Sequence, residues 1–195
     1  LFGNLFPADL ILEAREQARL WYSLLMICST LGLNKAPFKA CYSHGLLLDI
    51  EGAKMSKSLG NVISPYEIID KYGADTLRFY MNGTNAGVDI NFSWKEVNQK
   101  YKNLSILWNV HQYLIDYCKN LKINPLEIQK PELEEKYILS KLNNTVKKIT
   151  ELYEFYKLDE VPQEIENLFL ELSREYIQSV REKINVNPQL VLSTI

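Results

Sequence analysis

Cysteine is scarce in this 195-residue chain: Cys28, Cys41 and Cys118 are odd in number and far apart. None stands in CxxC spacing, which argues against a disulfide framework and against a cysteine-built zinc site. Three reduced thiols in a cytoplasmic protein are the expectation. Histidine is scarcer still, with only His44 and His111. No second metal ligand stands near either in sequence, so no metal bound by the protein itself is expected. Long hydrophobic runs are missing too. Leu20 to Leu33 is the most apolar stretch, but Ser23, Ser29, Thr30 and Gly32 interrupt it. No segment reaches the roughly eighteen apolar residues of a membrane span, and no signal-peptide pattern is present. Charge of one sign is lacking: the net charge is −2, so no generally basic surface is implied. A local Lys/Arg stripe can still neutralise nucleic-acid phosphates. Repeats and low-complexity tracts are absent. The first residue is Leu rather than Met, and the chain reads as a piece of something longer.

What is present is enough apolar sequence, 47% of residues, for a real core in one or two domains. Glu13 to Thr30 reads as a helix, because Leu20, Trp21, Leu24, Leu25 and Ile27 recur at helical spacing before Gly32 and Asn34. Phe38 to Leu48 reads as a strand, and Asp49-Ile50-Glu51-Gly52 has turn chemistry. Helix, strand and loop in this order suit the second half of an open α/β sheet. Ser64-Pro65-Tyr66-Glu67 combines an N-cap, a proline at the first helical position and a Glu three residues after the cap. Gly73 is expected to stop that helix, and Ala74 to Met81 to form another. Asn82 to Asn91, rich in Gly, Asn and Asp, marks the main boundary. Beyond it the pattern is purely helical. A stripe from Val97 through Tyr101, Leu104, Trp108, His111, Leu114 and Ile115 to Cys118 starts the first helix. A second runs from about Glu132 to Tyr156, with Tyr137, Ile138, Leu142, Ile149, Leu152, Tyr153 and Tyr156 on one side. A third starts near Asp159 to Pro162. The expected fold is therefore α/β over residues 1–91, followed by an antiparallel helical bundle over residues 92–195.

The chemistry concentrates in Lys54-Met55-Ser56-Lys57-Ser58, followed by Leu59-Gly60-Asn61. Two ammonium groups on flexible stems, two hydroxyls and a permissive glycine suit a loop that holds polyphosphate. A departing polyphosphate needs such a charge clamp as its charge shifts. Together with His44-Gly45-Leu46 and Tyr72-Gly73-Ala74-Asp75, this block resembles the class I aminoacyl-tRNA synthetases of the isoleucine/valine/leucine group. Upstream, Phe6-Pro7-Ala8-Asp9 and Glu13-Ala14-Arg15-Glu16-Gln17-Ala18-Arg19-Leu20-Trp21 are most similar to the isoleucyl members. Ala14 and Leu20 stand where those enzymes carry glycines, and Glu16 where they carry an aspartate. The helical half, with Trp108-Asn109-Val110 and Leu172-Ser173-Arg174-Glu175-Tyr176-Ile177, resembles their anticodon-binding domain.

The resemblance implies a Rossmann-like catalytic domain, of which residues 1–91 are the carboxyl-terminal part. It also implies a ligase that activates isoleucine with ATP and transfers the acyl group to tRNA. Lys57 and Lys54 are the expected catalytic, phosphate-contacting residues. Met55, Ser56, Ser58, His44 and Gly45 complete the expected ATP site. For Ser56 and Ser58, phosphate contact and loop shaping stand as alternatives. Glu13, Glu16 and Gln17, expected on one helical face, with Trp21 as a pocket wall, are the expected aminoacyl-adenylate contacts. Arg174, Arg181, Lys147 and Lys148 are the expected tRNA-phosphate contacts, against the alternative of a solvated helical face. Magnesium enters only with ATP. The expected partners are isoleucine, ATP, the isoleucine tRNA and the remainder of the synthetase polypeptide, and no membrane. The HIGH signature of class I enzymes is not among these 195 residues, so the piece alone is expected not to aminoacylate. A rival from another class is a non-catalytic RNA-binding or interaction module that keeps the family shape; Ala14 and Leu20 favour it. A valine- or leucine-specific ligase is the nearer alternative.

Overall fold

The computed structural model describes residues 6–83 and 86–195. Residues 84 and 85, inside the expected boundary, lie outside the described residues. By its internal contacts the chain divides into two units: residues 1–67 with 84–93, and residues 68–83 with 94–195.

In the first unit, strand β1 (Ala8–Ala14) runs into a 3-10 turn (Arg15–Arg19) and then helix α1 (Trp21–Leu33). Strand β2 (Phe38–His44) returns parallel to β1, in register from Ala8 opposite Phe38 to Ala14 opposite His44. A helix between parallel strands is the usual way to carry the chain back over a sheet. The expected helix from Glu13 to Thr30 is therefore corrected. Leu10-Ile11-Leu12 is too short a run to show helical period, and its pairing partner lies some thirty residues away, so Glu13 belongs to a strand and only Trp21 onward is α-helical. The expected strand Phe38 to Leu48 is also interrupted. Leu46 gives its backbone N–H to the Asp89 carboxylate (2.7 Å), and β3 (Leu47–Leu48) pairs parallel with β4 (Ile90–Asn91) instead of extending β2. Tyr22, buried on α1, donates its hydroxyl to Tyr42 O (3.1 Å) and so pins the helix to β2. Leu20, Leu24, Ile27 and Leu31 form an apolar stripe on the solvent side of the same segment.

Helix α2 (Pro65–Tyr72) begins where Ser64-Pro65 places it, and Gly73, at φ +84°, ends it with a conformation that L side chains resist. Helix α3 (Ala74–Asn82) follows directly.

The second unit is built on α4 (Trp94–Leu121), α5 (Leu133–Glu154) and α6 (Val161–Glu171). The last helix passes into a π-helical turn (Leu172–Tyr176), and a short α7 (Pro188–Leu192) closes the chain. Helix α6 packs on both α4 and α5. The core joins Ile138 of α5 to Tyr176, Val180, Ile184, Val191 and Leu192. Each aliphatic side chain buried there is worth about 1.5–3 kcal/mol relative to exposure. The stripe read on α4 is only half a core. Val97 and Val110 are buried, whereas Trp108 is 63% exposed and His111 is exposed beside it, with ring centroids 6.0 Å apart. On α5 Ile138 and Leu152 are buried, but Tyr137, Leu142 and Tyr153 are exposed, as is Tyr156 just beyond the helix. Among the described residues no helix is long and apolar enough to cross a membrane.

Candidate functional site

The Lys54–Gly60 loop leaves the end of β3 through a turn organised by Asp49. The Asp49 N–H donates to Ala53 O (2.9 Å), and its side-chain Oδ1 accepts from Glu51 N (3.0 Å) and Ala53 N (2.8 Å). Leu48 and Lys54 face each other across an antiparallel bridge, so the lysine leaves directly from the sheet margin. Met55 is half-buried, and its Sδ accepts from Ile63 N (3.3 Å). The thioether thus ties the two sides of the loop together. Ser56 and Ser58 share a hydrogen bond between hydroxyls (2.7 Å), and Ser56 Oγ also accepts from Leu59 N (3.3 Å). Those contacts define loop shape. Lys57 stands exposed at the turn, where its carbonyl accepts from Gly60 N (3.3 Å), and Gly60 takes φ +68°.

His44 ends β2, half-buried. Its Nδ1 lies 2.8 Å from Gly45 O; a carbonyl only accepts, so Nδ1 carries the proton and Nε2 is the acceptor of the neutral ring. Gly45 sits under the neighbouring chain. A Cβ there would lie 2.0 Å from Val88 O, so the position admits no side chain without backbone movement. Asp89, next to Val88, holds Leu46 N and the Arg15 guanidinium (2.7 Å). Neither Arg15 nor Asp89 carries a sequence signal that singles it out.

Glu13, Glu16 and Gln17 do not share one helical face, because Glu13 lies in β1, one residue before its end, and the other two lie in the 3-10 turn. Glu13 stands opposite Ser43 of β2, and both glutamates are exposed. The Gln17 amide oxygen accepts from Trp21 N (3.3 Å) and so occupies one of the open donors at the start of α1. Trp21 is largely exposed, its ring centroid 5.6 Å from that of Tyr22. Leu20 points outward at 54% exposure, while Ala14 is buried opposite His44.

In the second unit Arg174 rides exposed on the π-helical turn, a geometry that recurs at functional sites. Arg181 is exposed beyond it and acts electrostatically on Tyr113 of α4. Asn109, Tyr113, Ser173, Ile177 and Gln178 line a groove of about 210 Å³. Lys147 is exposed on α5, and its neighbour Lys148 is paired with Glu164 (2.6 Å). Three carboxylates with the spacing of a cation site, Glu132, Glu134 and Glu135, converge on the Lys183 ammonium at 3.0, 3.0 and 2.7 Å. Burial pulls the Lys183 pKa down, but the hydrogen bonds it donates to Glu135, Glu134 and Glu132 outweigh it, and the net shift is upward. That cluster is a structural lock in which one ammonium is shared by three carboxylates, and it is the cation they gather around.

The comparisons with known proteins fall on both units. The profile described as tRNA synthetases class I (I, L, M and V) matches residues 2–93, and that of the anticodon-binding domain of tRNA ligase matches residues 135–194. An isoleucine–tRNA ligase of Pyrococcus furiosus is 38% identical over 193 residues, 94% of this chain and 18% of the relative. One of Methanosarcina barkeri is 39% identical over 190 residues, 93% of this chain and 18% of the relative. The chain belongs to the class I tRNA synthetases.

It spans 18% of the length of these curated synthetase relatives. The fold likeness extends across the group. The agnB2 LeuRS of Agrobacterium radiobacter K84, solved as a ternary complex with tRNA and LeuAMS, superposes with a TM-score of 0.77 at 22% identity. That match covers 99% of this chain and 25% of the LeuRS. Mycobacterium tuberculosis methionyl-tRNA synthetase, solved with methionyl-adenylate, gives 0.80 at 17% identity, covering 99% and 39%. Two further residues stand at the synthetase loop that the sequence did not single out as functional. Asp49 reads as one turn residue among four, and Asn61 as the end of a motif; only the hydrogen bonds connect them.

Proposed function

We propose that this chain is the segment of an isoleucine–tRNA ligase that carries the phosphate loop of the ATP site and the start of the anticodon-binding domain. The observation that carries this reading is the alignment of nearly the whole chain, at 38% identity, with curated isoleucine–tRNA ligases. Residues 1–91 are assigned to the carboxyl-terminal part of a Rossmann-like catalytic domain, for which the parallel β1–α1–β2 unit is the supporting feature. Residues 92–195 are assigned to an antiparallel helical bundle that begins the anticodon-binding domain, for which the profile match over residues 135–194 is the support.

In the complete enzyme, a carboxylate oxygen of isoleucine attacks the α-phosphorus of ATP and pyrophosphate leaves, giving isoleucyl-adenylate. A hydroxyl of the tRNA then attacks the acyl carbon of the adenylate, and AMP leaves. No covalent enzyme intermediate is needed, so catalysis rests on orientation and on stabilising charge at phosphorus and on the leaving group. Lys57, exposed on its loop, is the principal cation for the departing pyrophosphate, with Lys54 behind it. Magnesium accompanies ATP. His44 Nε2 at the strand end and the backbone around Gly45 border the nucleotide. Glu13, Glu16 and Gln17, at the strand end and in the 3-10 turn, face the amino acid and adenylate beside Trp21. Arg174 and Arg181, near the groove between α4 and the π-helical turn, with Lys147 and Lys148 on α5, meet tRNA phosphates. The isolated 195 residues do not aminoacylate, since the HIGH signature is not among them.

ATP–pyrophosphate exchange by the full-length protein, measured across the amino acids, tests this reading. Isoleucine is expected to be preferred; a preference for valine or leucine overturns the specificity. Lys57→Ala is expected to lower the exchange rate constant by about a hundredfold or more, as for loss of one preorganised charge-stabilising group. The Michaelis constant for ATP is expected to change far less, because the lysine acts mainly as the pyrophosphate departs.

A further inference from the structure

We propose that Asn61, anchored by Asp49, is the positioning residue of the Lys54–Gly60 loop and sets where the Lys57 ammonium stands; this rests on the phosphate-loop reading above. Asp49 follows β3 directly and is only 8% exposed. Its Oδ1 is taken by two backbone amides of the turn that follows it, Glu51 N and Ala53 N, and its Oδ2 accepts from Asn61 Nδ2 at 2.7 Å. Asn61 then closes the mouth of the loop. The same Nδ2 reaches Lys54 O (3.3 Å), and Oδ1 accepts from Ser56 N (2.9 Å).

The orientation of the Asn61 amide follows from its partners. A carboxylate accepts and a backbone N–H donates, so the nitrogen must face Asp49 and the oxygen must face Ser56. One side chain therefore joins the entry of the loop, at Lys54 and Ser56, to its exit. Lys57 lies between the joined points, and its backbone position follows from them. Hydrogen bonds from Asn61 first, and then from the turn amides, hold the Asp49 carboxyl below the usual carboxylate range, so the anchor stays ionised. Gly60, with φ +68° and open space around its α-carbon, lets the chain turn sharply back to Asn61. All of these donors to Asp49 are amides, which leaves the Lys54 and Lys57 charges uncommitted to it.

The test uses the full-length protein with Asn61→Ala, Lys57→Ala and the double variant. Trypsin cleavage at Lys54–Met55 and Lys57–Ser58 is followed beside isoleucine-dependent ATP–pyrophosphate exchange. Asn61→Ala is expected to speed cleavage at both bonds while the thermal midpoint stays in place. It is also expected to lower the exchange kcat by about tenfold or more, as an ångström-scale misplacement of a catalytic group does, with the KM for isoleucine unchanged. In the Lys57→Ala background the same change costs nothing further, because Asn61 acts through Lys57. The reversed pair, Asp49→Asn with Asn61→Asp, keeps an amide donating to a carboxylate and is expected to recover part of the lost kcat. A wild-type kcat in Asn61→Ala alongside a large loss in Lys57→Ala overturns the positioning role alone. An equal Asn61→Ala penalty with and without Lys57 overturns it as well. A Lys57→Ala variant that exchanges at the wild-type rate overturns the phosphate-loop reading, and the positioning role with it.

Discussion

Asp49 in the first unit and Glu135 in the second are both buried carboxylates, and their partners differ in charge. Asp49 is held by backbone amides and the Asn61 side chain. Glu135, with no exposed surface, is held by the Lys183 ammonium (2.7 and 3.0 Å), the Tyr176 hydroxyl (3.2 Å) and the backbone N–H of Glu132 (3.1 Å). Burial pushes the Tyr176 phenol well above its ordinary value, which keeps it a hydrogen-bond donor. Neutral donors shape a loop without consuming the positive charge that the loop carries. An ion cluster does the opposite: it commits the Lys183 charge to its own carboxylates and locks the start of α5 to the segment after the π-helical turn. A second buried carboxylate in that unit, Glu166 of α6, is held the same way by Lys100 and by Asn103 Nδ2 (2.6 Å), both of α4. The helical unit thus ties its buried carboxylates to lysines of its own, whereas the loop unit holds its buried carboxylate with amides.

The largest effect is expected at Lys183. Lys183→Met strands Glu135 without its cation and is expected to cost about 3–5 kcal/mol of unfolding free energy, measured by urea titration of the chain. Pairing it with Glu135→Leu should return much of that loss, since an apolar pair needs no compensation. In the first unit the largest stability effect is expected from Gly45→Ala. Its Cβ meets the Val88 carbonyl, and displacing backbone of this kind costs about 1–3 kcal/mol. A third measurement sharpens the contrast through acid. The Asp49 pKa is depressed in the folded chain, so its hydrogen bonds are fully present above the usual carboxylate range. They are lost only as pH falls through the lower folded value. The amide proton shifts of Ala53 and Ser56 should titrate together at that low pH; a step at the ordinary aspartate value would separate Asp49 from the loop. The smallest effect belongs to the exposed Lys148–Glu164 pair on the helical unit. Lys148→Ala is expected to change stability by no more than about 1 kcal/mol in the same urea titration.

Local signals were legible where neighbouring residues decide the conformation. Ser64-Pro65 starts α2, Gly73 ends it at positive φ, and Ala74 opens α3. The long helices of the second half were legible too, because their periods and the prolines between them are written within a few residues. The turn at Asp49 was visible as turn chemistry, although its second role was not. Glu13 and Ala14, read as the start of a helix, belong to strand β1, and with that the placement of Glu13 on a shared face with Glu16 and Gln17 fails. The exposed Trp108 and His111 were misread as part of a buried stripe, since a helical period cannot say which neighbours arrive to cover it.

The sequence by itself determined the family, the existence of most helices and the presence of a lysine–serine loop followed by Gly60 and Asn61. These depend on residue types at short spacing. Tertiary structure decided that β1 pairs with β2, that Gly45 must stay bare under Val88, and that Asn61 Nδ2 meets the Asp49 carboxylate. It also decided that Lys183 gathers Glu132, Glu134 and Glu135 from some fifty residues away. Such contacts form only when distant segments are brought together, and their free energy depends on burial and geometry that no local pattern encodes.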